Sequence, residues 1–257
     1  RQMGLPCNYR RFVAFYFNGN RKQTFMEDSQ TPGSDVVSER WPNDSNGNLY
    51  KLQPWFEFDD VAVTAGTAAG FDNVAWCSLM NFYTGTRGDV KKLARYRYNF
   101  LTRAANGTAN DYTNVWDLTD AANTPPGGDY VANMKHFANM EQWMRTFAVQ
   151  HSVGNWDSFG NRNSQNMYGY KPTNGKWTLM TWDFNIVLGN SGSDGPTGDD
   201  LYQYNSSDSA MLRIYQTPEF RRMYIRAFKE IIEGPMAAGS PIFSLMDAKY
   251  AEILASG

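Results

Sequence analysis

The sequence has little of several features that would identify a class of protein at once. Its 257 residues include two cysteines and two histidines, and the formal net charge is −2. So few cysteines and histidines exclude a disulfide framework or a zinc-binding module. A nearly neutral chain lacks the electrostatic footprint of a nucleic-acid-binding protein. No apolar run approaches the roughly 18 residues that a membrane-spanning helix needs. The phosphate-binding motif G-x-x-x-x-G-K is also absent, which excludes the P-loop class.

The two cysteines, Cys7 and Cys77, allow two interpretations. They could form a single bridge, or they could be two buried free thiols. Unpaired cysteine is among the most buried residue types. We therefore expect free thiols, with the Cys7–Cys77 bridge as the alternative.

Aromatic residues are abundant, with 8 Trp, 15 Tyr and 16 Phe. Together with the many Asn and Gly residues and the low charge, they are typical of a secreted or surface protein of a bacterium. Exposed aromatic patches mark sites that bind sugars or other partners. The composition therefore keeps a binding role open beside an enzymatic one.

The N-terminal part predicts a short β structure. Residues 9–30 read as a hairpin that turns at Asn18-Gly19, a strong turn signal for two antiparallel strands. A short helix is expected at Ser34–Trp41. A strand then follows the Asn46-Gly47 turn, over Asn48–Gln53, and it carries Lys51.

The middle of the chain predicts helices separated by a break. Residues 59–105 are expected to be mostly helical, with a helix start at Asp89-Val90, and residues 106–131 to be a polar connection. The Pro- and Gly-rich run 124–129 ends any helix there. We expect a boundary near it between two lobes, 1–125 and 126–257. A single amphipathic helix is predicted over 131–151, because apolar residues recur there at steps of three and four.

Residues 154–183 carry the strongest functional signal. A polar loop ending at Asp157 is followed by a strand over Gln165–Tyr170, a turn, and a second strand that ends before Asp183. Asp157, Asn166 and Asp183 thus lie at the ends of elements that are adjacent to one another. A helix, a catalytic loop, a short hairpin and a metal-binding Asp follow one another in this order in phosphoryl-transfer enzymes.

Each residue type suits one part of that chemistry. Asp157 could orient the attacking hydroxyl, Asn166 and Asp183 could hold Mg²⁺, and Lys51 could bind phosphate. Each also has an ordinary structural interpretation. An Asp after a helix is often a turn residue, and a Lys in a strand usually faces solvent.

The Gly- and Asp-rich segment 190–210 is expected to be a loop, and helices are expected after Thr217-Pro218.

Several short stretches resemble the spore coat protein H (CotH) kinase family, an atypical protein kinase-like fold. The similar stretches are Val13–Gly19, Glu27 after the hairpin, Gly47–Lys51, Gly154–Asp157, Asn166–Tyr170, Trp182–Asn185 and Phe220–Tyr224. They spread over about 215 residues and occur in the family's order.

The resemblance implies an α+β, two-lobed fold with ATP and Mg²⁺ in the cleft. It also implies phosphorylation of Ser or Thr on protein partners, with Asp157 as catalytic Asp and Asp183 as metal-binding Asp. Asn166 would be the second metal ligand, and Lys51 would hold phosphate, paired with Glu27. Family members occur in the spore coat and as domains of secreted or surface proteins of bacteria. We therefore expect an extracellular, cell-surface or spore-coat location.

Three departures from the family pattern define the alternatives. Asn185 replaces a second Asp, Gly169 stands where the family has Leu, and the start of the chain resembles the middle of the family domain. We therefore expect a truncated N-terminal lobe. The first alternative is a non-catalytic pseudokinase, a structural or binding module of a coat, a cell surface or a polysaccharide-degrading assembly. The second is a glycoside hydrolase that uses Asp157 and Asp183 as its acid and base.

Overall fold

The computed structural model describes residues 2–23, 26–57, 73–81, 90–103, 111–189, 201 and 208–255. Groups of helices occur beside antiparallel sheets within these ranges, which confirms the α+β class. The strands are β1 Arg10–Val13, β2 Tyr16–Phe17, β3 Asn20–Arg21, β4 Met26–Ser29, β5 Asn48–Leu52, β6 Trp55–Glu57, β7 Asn73–Ala75, β8 Phe100–Thr102, β9 Met167–Lys171 and β10 Thr178–Thr181. The helices are α1 Ser34–Arg40, α2 Val90–Asn99, α3 Thr113–Ala122, α4 Tyr130–Phe137, α5 Met140–Ser152, α6 Ser209–Gln216, α7 Pro218–Glu233 and α8 Pro241–Ala255.

A four-stranded antiparallel sheet with the order β10-β9-β5-β8 forms the centre of the molecule. Strands β5 and β8 come from residues before 125, and β9 and β10 come from residues after it. The predicted boundary near residue 125 therefore does not separate two sheets. The division into lobes 1–125 and 126–257 stays a prediction.

The two faces of this sheet are buried by different partners. Side chains that are paired across an antiparallel sheet lie on the same face. The face that carries Tyr50, Leu52 and Leu179 joins the large core with the helices. The opposite face carries Leu49, Tyr168, Tyr170 and Met180, which form a smaller cluster with Val36 and Val37 of α1.

Aromatic residues fill the large core between the sheet and helices α3–α7. Trp143 of α5 and Trp177, which directly precedes β10, are both 1% exposed. The indole nitrogen of Trp143 donates a hydrogen bond to the carbonyl of Trp177 over 3.0 Å. Truncating a buried aromatic side chain of this size costs about 3–5 kcal/mol. This contact therefore joins α5 firmly to the β9–β10 hairpin.

The predicted N-terminal hairpin is confirmed around its turn. Asn18 and Gly19 have φ values of 48° and 76°, as a turn with two left-handed residues requires. Strand β2 pairs with β3 beside the turn, and β1 pairs with β4 further out. The aromatic residues of this region are exposed, by 48% for Phe12 and 55% for Phe17.

The helix predicted over 131–151 is wrong, because the structure has two helices there. Helix α4 ends at Phe137, and Ala138 forms a parallel bridge with Trp177. Asn139 then begins α5, and its side-chain oxygen accepts a hydrogen bond from the backbone N–H of Gln142 over 3.1 Å. Apolar residues keep their helical spacing across the break, so this spacing alone could not reveal that there are two helices.

Two further expectations for the middle of the chain need correction. The segment expected to be a polar connection contains α3, whose Val115, Leu118 and Ala122 are buried. The segment expected to be mostly helical contains strands β7 and β8 beside α2, and β8 pairs with β5. Residues 58–72, 82–89 and 104–110 of these segments lie outside the described residues, as does most of the predicted loop 190–210.

Several predictions about individual elements and the cysteines are confirmed by the structure. Helix α1 and strand β5 lie where the turn and helix signals placed them, and α7 begins at Pro218. Both cysteines are free, although Cys77 is buried and Cys7 is only half-buried. Burial raises the pKa of the Cys77 thiol well above its usual value. None of the helices in the described residues is long and apolar enough to cross a membrane.

Candidate functional site

The β9–β10 hairpin places two of the predicted site residues at the same end. Met167 pairs with Thr181 as the last pair of the hairpin. Asn166 precedes this pair and Asp183 follows it by two residues. Both have left-handed backbones, with φ values of 51° and 56°. Left-handed non-glycine residues cluster at functional sites, and Asn and Asp tolerate this conformation best.

Asp157 lies against this end of the hairpin and is surrounded by amide donors. The Nδ2 atom of Asn166 donates to Oδ2 of Asp157 over 2.7 Å. Asn163 donates its Nδ2 to Oδ1 over 2.7 Å, and the Nε2 of Gln165 also donates to Oδ1. Asp157 is only 7% exposed. The structure thus brings Asp157 and Asn166 into direct contact.

The contact with Asp157 fixes the orientation of the Asn166 amide. An ionised carboxylate can only accept hydrogen bonds, so Asn166 must turn its NH₂ group toward Asp157. The Oδ1 atom of Asn166 is then the atom that faces away. Amide and carboxylate oxygens are the ligand types that Mg²⁺ takes from proteins. Asn166 can therefore hold Asp157 and a cation at once.

Asp183 has a carboxylate that is open to a ligand. Within the described part of the chain, no hydrogen bond or ion pair engages its side chain, which is half-buried. The segment after it returns to the end of α5, where the backbone N–H of Leu188 donates to the carbonyl of Val153 over 2.8 Å. This bond places the strand end beside the loop that leads to Asp157.

The acidic residues here are too few for a metal site made of protein ligands alone. In the described ranges, no group of three or more His, Cys, Asp or Glu side chains could hold a metal ion. Mg²⁺ is often bound by one or two protein oxygens, with phosphates and water completing its shell. Asn166 and Asp183 fit that kind of site.

The structure also locates the two remaining predicted residues. Lys51 pairs with Tyr168 in the sheet. This pair is next to Leu52–Met167, which is the last pair between β5 and β9 and lies beside Asn166. Within the described residues its ammonium group has no ion-pair partner. Glu27 forms an ion pair with Arg10 over 3.0 Å, so its partner in the structure is Arg10 and not Lys51.

Arg10 is a residue near the site that sequence reasoning missed. Its guanidinium lies over the ring of Trp182, 5.5 Å from the centroid, and Trp182 directly precedes Asp183. A cavity of about 360 Å³ lies between the N-terminal segment, from Cys7 to Arg10, and residues Thr181 and Phe184. This volume falls within the range of small-molecule sites. Only the proximity of Arg10 to Trp182 in space could have identified it.

Asn163 and Gln165 were also missed, although they lie close to Asp157 in the sequence. Amides in a polar loop carry no periodic signal, so only the folded loop shows where they point. A second cavity, of about 400 Å³, lies at the other end of the hairpin, beside residues 173–176. It includes none of the predicted site residues.

Comparison with known families adds one finding. The sequence model of a family described as CotH kinase protein matches residues 1–253, nearly the whole chain. A search of the curated proteins finds no significant match.

Proposed function

Because the chain belongs to the CotH kinase protein family, we propose that it transfers phosphate from ATP to Ser or Thr of a protein. The acceptors would be secreted, surface or coat proteins, and the protein itself would be extracellular, on a cell surface or in a spore coat. The observation that supports this most directly is the hydrogen bond between Asp157 and Asn166. It joins a candidate hydroxyl-orienting residue to a candidate metal ligand.

Each side chain has a role that follows from its surroundings. Asp157 would accept the hydrogen bond of the acceptor hydroxyl and orient its oxygen for attack. Asn166 and Asp183 would hold Mg²⁺, which would supply positive charge to the phosphate oxygens. Lys51 and Arg10 would be cations that bind the phosphates. Arg10 is held by Glu27 and Trp182, whereas Lys51 has no described partner.

The first experiment measures nucleotide binding and phosphate transfer together. Calorimetry with MgATP gives affinity, and labelling from γ-³²P ATP with casein as a general acceptor gives transfer. We expect Asp183→Ala to lose Mg²⁺-dependent binding and labelling. Asp157→Ala should keep binding but lose about 100-fold or more in labelling.

Asp247→Ala is the matched control, since Asp247 is an exposed carboxylate on α8. It should behave as wild type in both assays. Equal labelling by wild type and Asp183→Ala would overturn the assignment of Asp183. The absence of MgATP binding by the folded wild-type protein would overturn the proposed activity.

A non-catalytic binding module is the second candidate, and a specific surface favours it. Five aromatic residues of the N-terminal hairpin region are exposed: Tyr9, Phe12, Phe15, Tyr16 and Phe17. Exposed aromatics concentrated in one short segment favour binding to partners or sugars. This candidate predicts retained partner binding in Asp157→Ala and Asp183→Ala, and no calorimetric response to MgATP.

The arrangement around Asp157 gives less support to a glycoside hydrolase. A hydrolase needs one carboxyl group that carries a proton for the leaving group. Asp157 accepts hydrogen bonds from three amides, which occupy about three of the four acceptor positions on its oxygens where such a proton would sit.

A further inference from the structure

We propose that Asn163 and Gln165 are positioning residues that direct a single oxygen of Asp157, Oδ2, toward the acceptor hydroxyl. This inference rests on the proposed phosphate transfer and assigns a role that the predicted site did not include. It follows from how the two oxygens of Asp157 are occupied.

The two carboxylate oxygens of Asp157 are used unequally. Among the described residues, Oδ1 accepts from both Asn163 and Gln165, whereas Oδ2 accepts from Asn166 alone. Each carboxylate oxygen offers about two acceptor positions. Oδ1 is therefore full, and Oδ2 retains one position. An incoming hydroxyl can donate only to Oδ2, next to the amide of Asn166.

The loop that carries these amides is itself held in place. The backbone N–H of Phe159 donates to the carbonyl of Gln165 over 2.6 Å, and the N–H of Asn163 donates to the carbonyl of Trp156 over 3.1 Å. Phe159 is 1% exposed and packs against Trp143 in the core. Ser164, between the two amides, has a φ of 44°. The donors are therefore pre-arranged around Asp157.

The three hydrogen bonds to Asp157 orient its carboxylate and do not connect distant parts of the fold. All three donors lie within nine residues of Asp157, so the network joins no separate helices or strands. Loss of a donor to Oδ1 would let the carboxylate rotate and present either oxygen. Misplacement of a reacting group by about 1 Å can cost about 100-fold in rate. We therefore expect a loss in kcat with binding preserved.

The test compares Gln165→Leu, Asn163→Leu and Gln165→Met with wild type. Gln165→Met keeps the length of the side chain and adds no charge but cannot donate, so it separates the hydrogen bond from packing. We expect each variant to lower kcat by about 10- to 100-fold. The KM for ATP and the calorimetric Kd for MgATP should stay within about twofold, because Asn166 and Asp183 are intact.

Gln216→Leu, an exposed amide on α6, is the matched control and should leave kcat unchanged. Thermal unfolding is measured for every variant, and Asn163→Leu carries the test if Gln165→Leu is unfolded. Wild-type kcat in the folded Gln165 and Asn163 variants would overturn the inference and leave the proposed function standing. Parallel losses in kcat and MgATP affinity would also overturn it. A wild-type protein without MgATP binding or transfer would overturn both.

Discussion

At the scale of single residues, Gly169 shows how a departure from a family pattern can be accommodated. Gly169 lies in β9 between Tyr50 and Leu179 of the neighbouring strands. A Cβ atom built on it would lie 3.0 Å from a ring carbon of Trp177. The Trp177 ring thus occupies the space that a larger side chain at position 169 would need.

Gly169→Leu should therefore destabilise the protein. Forcing a large side chain into a packed core costs about 1–3 kcal/mol, and urea unfolding would measure the change. In a Trp177→Ala background the same substitution should cost less, since the ring that obstructs it is gone. An identical cost in both backgrounds would contradict this packing argument.

Asp208 is a buried carboxylate that begins α6. It is 3% exposed, and its side chain accepts from the backbone N–H of Met211 over 2.9 Å. Burial raises its pKa above the usual value, and this effect exceeds the opposing influence of Ser78 and the nearby Arg95. The folded protein therefore binds this proton more tightly than the unfolded chain does.

The pH dependence of stability follows from that direction. Because the folded-state pKa is raised, Asp208 contributes its whole stabilising effect below about pH 4. That contribution is lost as the pH rises through the folded-state pKa. Asp208→Asn keeps the helix cap without the buried charge. The stability of Asp208→Asn relative to wild type should thus rise between pH 4 and pH 7, as measured by urea unfolding. A difference that falls with pH would contradict the assignment.

Residue-level prediction from sequence could place site residues where they flank regular elements, while their chemical roles stay predictions. Asn166 and Asp183 could be placed together because each flanks a strand of one hairpin. The partners of Asp157 and the proximity of Arg10 to Trp182 could not be found this way. They depend on left-handed turns and on packing between distant parts of the chain, and neither leaves a pattern in the sequence.

At the scale of elements, the break between α4 and α5 positions the candidate site. Ala138 and Asn139 leave the helix and pair with Trp177, through the bonds Trp177 N–H to Phe137 carbonyl and Asn139 N–H to Trp177 carbonyl. Helix α5 thereby starts against β10 and ends just before the loop that carries Asp157. Helical periodicity extends across both helices, so a pattern of apolar residues alone could not reveal this break.

The Asn139 cap is the testable part of this junction. Asn139→Ala removes the acceptor for the Gln142 N–H and should cost about 1 kcal/mol of stability. Asn139→Asp keeps an oxygen in the same place and should remain close to wild type. Chemical unfolding of the three proteins provides the comparison, and equal losses in both variants would contradict a capping role.

At the scale of the whole molecule, the central sheet joins the two halves of the chain. Strand β5 pairs with β9 over five residues, from Asn48–Lys171 to Leu52–Met167. One core includes residues from Tyr50 to Ile231. The class of fold could be predicted from the sequence, but this long-range pairing could not, because neither strand specifies its partner.

We expect the described core to unfold in a single cooperative transition. Circular dichroism and tryptophan fluorescence should report the same urea midpoint. Fragments 1–125 and 126–257 expressed separately should not fold, since each would expose one side of the β5–β9 pairing. Two resolved transitions, or a stable 126–257 fragment, would contradict this expectation and favour independent lobes.

The turn of the β9–β10 hairpin has a consequence for protein engineering. Both Thr173 and Asn174 are exposed, but their backbone N–H groups donate to the two carboxylate oxygens of Asp44, each over 2.9 Å. Exposed loop tips are commonly chosen for inserted tags, reporters or permuted termini. At this tip an insertion would detach the hairpin from the segment that leads into β5. A peptide tag is better placed in the exposed Gly127-Gly128 turn, to whose tip no side chain of the described residues is hydrogen-bonded.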